Sequence, residues 1–416
     1  MFGRYPLLKL NINFNIYNNV PSKRNVQNVL RDQCNLSKIV CNFIQNKTCA
    51  ISNITYARFF SKTSTLLNMS SSQRYEQRKP LPNRMKGVLV EKFGTAEELR
   101  IRYDLPLPIS KLEELEPKQI LIRVMVAGVN PVDTYIRSGQ YARLPNLPYI
   151  PGIDAAGYID AVGPEVPKSD FPLGSRVFVT GPGKNSGCYA EYVTVGMDYV
   201  FPLDERLSFA QGAGLGAPYF TAYKALMLGA KAKENETVLI HGASGAVGTA
   251  AVQIARSLGT TIFGTAGSEE GMDIVAKCGA HHVFNHHEKG YDKEMKERTN
   301  NEGFDVIIEN LANVNLEKDM QMLKRSARIM VVGSRGSITI NPRHLMAPEA
   351  SIQGIALGTT TQNQYKEIGS AIVSGITSGW VNPVINREYK FHETQQAHHD
   401  IINSKGAKGK LVLKLR

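Results

Sequence analysis

TVLIHGASGAVGTAAVQIARSLG, residues 237–259, decides the fold. An apolar, β-branched run, Thr237-Val238-Leu239-Ile240, stops at glycines, and a helical period begins at once, with Val247, Ala251, Ile254, Ala255 and Leu258 sharing one face. The pattern predicts strand, glycine-rich turn and helix, the opening half of a dinucleotide-binding unit. Gly242, Gly245 and Gly248 would let the backbone turn tightly, approach a diphosphate and seat the helix on the strand. The helix N-terminus would offer free N–H groups and partial positive charge to the phosphates. The spacing is G-x-x-G-x-x-G rather than G-x-G-x-x-G, so its weight comes from the flanking strand and helix; an ordinary tight turn is the plain alternative.

The next strand, Thr261–Ala266, runs into Gly267-Ser268-Glu269-Glu270. A site for NAD would put an acid at this strand end, to hold the ribose 2′-OH. Ala266 and Gly267 leave the end neutral, which points to NADP, although no arginine follows directly to pair with a 2′-phosphate. Glu269 and Glu270 read as acids favoured in the first turn of a helix.

Outward from this unit, 305–308, 329–332 and 351–355 are buried-type strands between helical stretches. That alternation predicts an α/β fold with a doubly wound parallel sheet. Upstream, 85–90 and 119–126 read as strands, and frequent Gly and Pro through 127–203 predict a compact β-rich domain. Lys410–Leu415 reads as a strand returning to that first domain.

Of the net charge of +12, residues 1–80 carry +10 (12 basic, 2 acidic) and the rest only +2. The body therefore lacks the excess charge of a surface that tracks nucleic-acid phosphates. No apolar run is long enough to span a bilayer. Cys188 and Cys278 are the only cysteines of the body and make no disulfide framework. Residues 1–84 are basic, Asn- and Ser-rich and poor in acids, as a mitochondrial transit segment is, with Arg58-Phe59-Phe60-Ser61 as an arginine-led cleavage site. The strand-like alternation of Leu8, Leu10, Ile12, Phe14 and Ile16 fits an import helix poorly. The alternative is a disordered leader, with translation from Met69 or Met85 and a cytoplasmic protein.

Several segments carry a family resemblance: 128–141 (GVNPVDTYIRSGQY), 148–163 (PYIPGIDAAGYIDAVG), 216–226 (GAPYFTAYKAL), 241–248 (HGASGAVG), 283–288 (VFNHHE), 309–320 (ENLANVNLEKDM) and 331–343 (VVGSRGSITINPR). From about Met85 onward the chain resembles the medium-chain dehydrogenase/reductase superfamily and, within it, the zeta-crystallin family of quinone oxidoreductases. The resemblance implies a GroES-like catalytic domain over 85–211 and 357–416, a Rossmann domain over 212–356, NADPH as donor, quinones as acceptors and a homo-oligomer, tetramer or dimer. It also implies RNA as a partner, through AU-rich messages. The same cofactor site would serve a reductase of activated C=C bonds.

For the cofactor the resemblance implies Ser244, Gly245, Ala246 and Val247 at the diphosphate, Gly267 and His286 at the adenosine end, and Asn315, Val332, Gly333, Ser334 and Arg335 at strand ends. Ile355, Ala356 and Leu357 would flank the nicotinamide. Asn130, Tyr135 and Tyr141 are the substrate-pocket residues, with Asn130 and Tyr135 catalytic as neutral hydrogen-bond donors and Tyr135 also near the cofactor. A catalytic zinc needs three protein ligands. The alcohol dehydrogenases have Cys where this chain has Asn130, and His-Glu where it has Ile153-Asp154, so no metal is expected. His281, His282, His286 and His287 lack a thiol or carboxylate at ligand spacing.

Overall fold

The structure is a computed structural model that describes residues 81–181, 187–404 and 406–416. The leader read over 1–84 lies, up to Pro80, outside the described residues. In chain order the strands are β1 (Arg84–Leu89), β2 (Arg100–Pro106), β3 (Gln119–Val129), β4 (Asp154–Val162), β5 (Arg176–Thr180), β6 (Tyr192–Gly196), β7 (Val200–Pro202), β8 (Thr237–Ile240), β9 (Thr261–Ala266), β10 (His282–Asn285), β11 (Phe304–Glu309), β12 (Leu323–Val331), β13 (Ser351–Gly354), β14 (Ile385–Lys390) and β15 (Lys410–Lys414). The helices are α1 (Pro131–Arg137), α2 (Phe209–Ala213), α3 (Gly216–Tyr223), α4 (Ala246–Ser257), α5 (Glu269–Cys278), α6 (Tyr291–Arg298), α7 (Ala312–Asp319), α8 (Arg343–Met346), α9 (Gln362–Ser378) and α10 (Thr394–Asn403).

Six strands form one parallel sheet in the order β10-β9-β8-β11-β12-β13. Counted from β8 as the first strand, this is the order 3-2-1-4-5-6 of two mononucleotide-binding halves. The order reverses between β8 and β11, so the crevice for a ligand opens at their carboxyl ends. The α/β doubly wound sheet expected from the strand–turn–helix of 237–259 is thus present. Its central strands are apolar runs because both faces are covered: Val238, Ile240, Val306 and Ile308 join one core, and Leu239, Phe263 and Ile307 the other.

The second sheet holds seven strands along β14-β15-β3-β4-β5-β7, with β6 also paired to β3. It is antiparallel except for β14 beside β15. β1 and β2 form a separate ribbon. The chain builds this β-rich domain first, crosses through α2 and α3 to the parallel sheet, and returns along α9 to add β14 and β15. The last strand therefore lies beside β3, with Leu411 opposite Val129 and Val412 opposite Gly128.

One close approach seats the glycine-rich turn. A Cβ on Gly248 would lie 2.4 Å from the Gly242 carbonyl oxygen and 2.6 Å from the Ala243 Cα. Both are rigid backbone, so no side chain fits where α4 crosses β8. Gly248→Val is expected to push α4 off the turn, lowering stability by about 1–3 kcal/mol and weakening binding of the expected dinucleotide by roughly tenfold or more. Thermal melts and a fluorescence titration with NADPH check this; wild-type affinity would contradict it.

Candidate active site

The cofactor side is built from strand ends. Gly242 (φ 59°) turns the chain out of β8. Its N–H donates to Thr265 Oγ1 at 3.2 Å, and the Ala243 N–H donates to the Thr265 carbonyl at 2.8 Å. The end of β8 is thereby tied to β9. Ser244 is buried, Gly245 precedes α4, and Ala246 and Val247 begin it, so the first-turn amides of a twelve-residue helix stand over the crevice.

Gly267 follows β9. A Cβ there would lie 2.8 Å from His286 Nε2 and 2.9 Å from His287 Nε2, so both imidazoles stand against this backbone. Burial, and then the neighbouring His287, push the His286 imidazole below its ordinary range. The other two histidines of the run point elsewhere. His281 Nδ1 accepts from the Ile262 N–H at 2.9 Å, and His282 packs on the Phe263 ring at 4.4 Å.

Val332, Gly333, Ser334 and Arg335 follow β12, and Ile355, Ala356 and Leu357 follow β13. The Ser334 hydroxyl donates to the Gly336 carbonyl at 2.9 Å. Asn315 lies on α7 and turns its amide inward, donating to Glu309 Oε1 at 3.3 Å. Lys224 Nζ holds the loop after β13, at 2.8 Å from the Ala356 carbonyl oxygen and 3.0 Å from Thr359 Oγ1.

Beneath the crevice, His241, Glu309 and Asp319 are fully buried. His241 Nε2 lies 2.8 Å from Asp319 Oδ1, a hydrogen bond, and its Nδ1 lies 3.2 Å from Thr265 Oγ1. Burial works against a charged His241, but the Asp319 carboxylate outweighs it and raises the imidazole. Glu309 is raised by burial, with the Asp319 charge adding to it. This group ties the ends of β8, β9 and β11 to α7. It was not legible beforehand, because its members are isolated letters in unrelated segments.

The side expected to hold the substrate centres on Asn130, at the end of β3. Its backbone N–H donates to Asp133 Oδ2 at 2.9 Å, closing the first turn of α1, where Pro131 presets the helix. Its side chain is engaged at both ends. Nδ2 donates to Asp154 Oδ2 at 2.8 Å, and Oδ1 accepts from Lys410 Nζ. Lys410 Nζ also lies 3.2 Å from Asp154 Oδ2. Lys410 was not foreseen as a site residue. The signal available was its place in KLVLK, where a two-residue period puts it on the face of buried Val412. Tyr135 lies half-buried on α1 and its hydroxyl has no hydrogen-bond partner among the described residues; Tyr141 is exposed in the loop beyond.

Behind α1, Tyr189 donates to Asp133 Oδ2 at 3.2 Å, and His398 Nε2 lies 3.1 Å from the same hydroxyl. Asp133 Oδ1, Arg137 Nε and Nη1, Tyr149 Oη and His398 Nδ1 are buried without a hydrogen-bond partner among the described residues. Burial raises Asp133 to about 7 against the pull of the Asn130 N–H, and burial drives His398 down to about 3.

The two sides meet through few polar contacts. The Gly409 N–H donates to the Ser244 carbonyl at 2.6 Å, and Lys408 pairs with Glu270. Arg143 Nη1, two residues past Tyr141, reaches the Gly358 carbonyl at 3.3 Å, and Arg335 Nη1 reaches the Ile402 carbonyl at 3.2 Å. Through Gly409 and Lys410 the glycine-rich turn is thus linked to Asn130, and Arg143 links the loop beyond α1 to the loop after β13.

Residues 116–205 match the family model described as alcohol dehydrogenase GroES-like domain, and residues 246–374 the one described as zinc-binding dehydrogenase. The quinone oxidoreductase of Homo sapiens is 49% identical over 331 residues, covering 80% of this chain and 98% of that protein. The quinone oxidoreductase of Sus scrofa is 48% identical over the same shares. Among solved structures, a mycobacterial protein complexed with NADPH superposes with a TM-score of 0.70 at 24% identity, over 79% of this chain and 99% of that one, a likeness of fold.

Asp133 gives this site a pH signature. A carboxyl whose pKa is raised on folding stabilises the fold fully below its unfolded value and less as pH rises through the folded one. The contribution therefore falls between about pH 4 and the value of about 7 that burial imposes. Asp133→Asn keeps an acceptor for the Asn130 N–H and removes the titration. Its melting temperature is expected to exceed wild type by roughly 2–4 °C at pH 8, with the difference shrinking toward pH 5. A constant difference across that range would contradict the assignment.

Proposed function

Since the chain belongs to the zeta-crystallin-type quinone oxidoreductase family of the medium-chain dehydrogenases/reductases, we propose that it reduces quinones with NADPH and without zinc. One observation carries this reading. The Gly409–Ser244 hydrogen bond joins the cofactor turn to β15, whose Lys410 bonds Asn130, one of the positions where zinc-dependent relatives would need their metal ligands. Asn130, Ile153 and Asp154 occupy those positions, and the Asp154 carboxylate is taken up by Lys410, Asn130, Thr180 and the Ala217 N–H.

The turn suits a dinucleotide. Gly242 leads the backbone away from β8, and the chain then enters α4 at Ala246. When bound, NADPH supplies the hydride. The chain's own part is to hold the diphosphate on the amides of 244–247 and to present donors to the acceptor oxygen as it gains charge. The free N–H of Asn130 and the unengaged hydroxyl of Tyr135 are those donors. At the adenosine end, a neutral β9 terminus, two imidazoles over Gly267 and the nearby Lys408 favour a 2′-phosphate over a bare ribose hydroxyl. A homo-oligomer belongs to the same proposal, because β13 is an open sheet edge with exposed Ser351, Gln353 and Gly354.

Steady-state assays with ortho- and para-quinones are expected to show NADPH oxidation, with trans-2-alkenals slower. Asn130→Ala should lower kcat by roughly tenfold to a hundredfold, the size of one lost donor to developing charge. Faster turnover of alkenals than of every quinone would favour the C=C reductase, and no turnover of any quinone would sink the reading. His286→Ala should cut the preference for NADPH over NADH by about tenfold, the worth of one hydrogen bond to a charged group. An unchanged preference would remove His286 from the 2′-phosphate.

A further inference from the structure

We propose that Lys410 is a positioning residue for the reduction: its buried ammonium fixes and polarises the Asn130 amide, so that the remaining N–H is aimed at the acceptor oxygen. This rests on the reading of Asn130 as donor.

Lys410 is 2% exposed, Asp154 0% and Asn130 5%. A buried ion pair is weak evidence for stability, because apolar residues of the same volume often do as well. The arrangement here is more specific than a pair. Asp154 Oδ1 accepts from Thr180 Oγ1 at 3.1 Å and from the Ala217 N–H at 2.8 Å, while Oδ2 accepts from Asn130 Nδ2 at 2.8 Å and from Lys410 Nζ at 3.2 Å. Room for this carboxylate is reserved, since a Cβ on Gly216 would lie 2.1 Å from Oδ1.

The Asn130 amide is caught between opposite charges. An ammonium faces its oxygen and a carboxylate its nitrogen. Flipping the amide would set oxygen against carboxylate and NH₂ against ammonium, so the charges select one orientation. They also act in the same sense on the amide electrons, drawing density toward the oxygen and making the N–H groups stronger donors. An Asn nitrogen carries two hydrogens. One is used by Asp154, and the other remains for a ligand.

The backbone puts this amide beside the cofactor turn from two directions. Gly409, adjacent to Lys410, is bonded to Ser244, and Leu411 on its other side is paired with Val129, adjacent to Asn130. Four successive residues, 408–411, thus reach Glu270, the glycine-rich turn, the Asn130–Asp154 pair and β3 in turn.

The test compares Lys410→Gln, Lys410→Arg, Asn130→Ala and the double variant N130A/K410Q, reading kcat with a quinone, the Kd for NADPH by fluorescence and the melting temperature. K410Q is expected to lower kcat about tenfold while leaving the NADPH Kd within about twofold, and K410R to keep most of the rate. In the N130A background, K410Q should change kcat by less than about twofold, because the group it acts through is gone. Equal losses in both backgrounds would make Lys410 merely structural and overturn the proposal. Wild-type kcat in K410Q with an impaired N130A would overturn it too, leaving the reading of Asn130 intact. Wild-type kcat in N130A would remove that reading itself. If K410Q melts too low to assay, K410M/D154N, which removes both charges, carries the same comparison, with the same loss of kcat expected and a wild-type rate contradicting it.

Discussion

The hydrogen bond from the Gly409 N–H to the Ser244 carbonyl is the contact on which the geometry of the site depends. It fastens the last strand of the β-rich domain to the turn that begins the parallel sheet. One chain segment then carries both halves of the chemistry. Its N-terminal residues border the phosphate-binding turn, and its side chain at 410 enters the catalytic domain. An apolar core joins the two sides, with Val126, Ala156, Phe178 and Phe201 of the β-rich sheet in one cluster with Phe220, Val238 and Ile240. Polar contacts at Ser244, Glu270, Gly358 and Arg335 add to it.

The electrostatics follow a consistent plan. Two buried charged groups flank the cleft, one in each domain, and each is balanced within itself. Lys410 with Asp154 serves the catalytic side, and His241 with Asp319 and the raised Glu309 serves the floor of the parallel sheet. His241, Glu309 and Asp319 bring three ligand-type atoms within 4.8 Å of one another, all of them buried. On the proposed function, what faces the cleft are neutral donors, the amide of Asn130 and the phenol of Tyr135, and backbone N–H groups. That is a suitable surface for an acceptor whose oxygen gains negative charge while a hydride arrives, because fixed dipoles stabilise developing charge without reorganising.

The parallel sheet was legible in the sequence because its signals are local. The apolar run of β8, the glycines after it and the helical period of α4 lie within 237–259, and β9, β11 and β13 repeat the same logic. Boundaries were less secure. β12 begins at Leu323, ahead of the expected 329, because the polar stretch Lys324–Ser326 lacks apolar alternation yet lies on the strand, with Ser326 at φ 61°. α1 was not read at all, since Pro131 and the Gly-rich surroundings look like loop until the Asn130–Asp133 turn is seen. The pairing of Lys410 with Asp154 is illegible for a different reason. They lie 256 residues apart, and only the antiparallel pairing of β15 with β3, and of β3 with β4, brings them together. No short-range pattern encodes such a pair.

On the proposed function, polarised neutral donors, with no metal, suffice for the reduction in this cleft. A single-turnover experiment addresses it most directly. Protein treated with a chelator and shown free of zinc is loaded with NADPH, mixed rapidly with a quinone, and followed by the loss of nicotinamide absorbance. A zinc-independent reductase gives a decay whose rate is the same before and after zinc is restored. No decay in metal-free protein, with recovery on adding zinc, would contradict it.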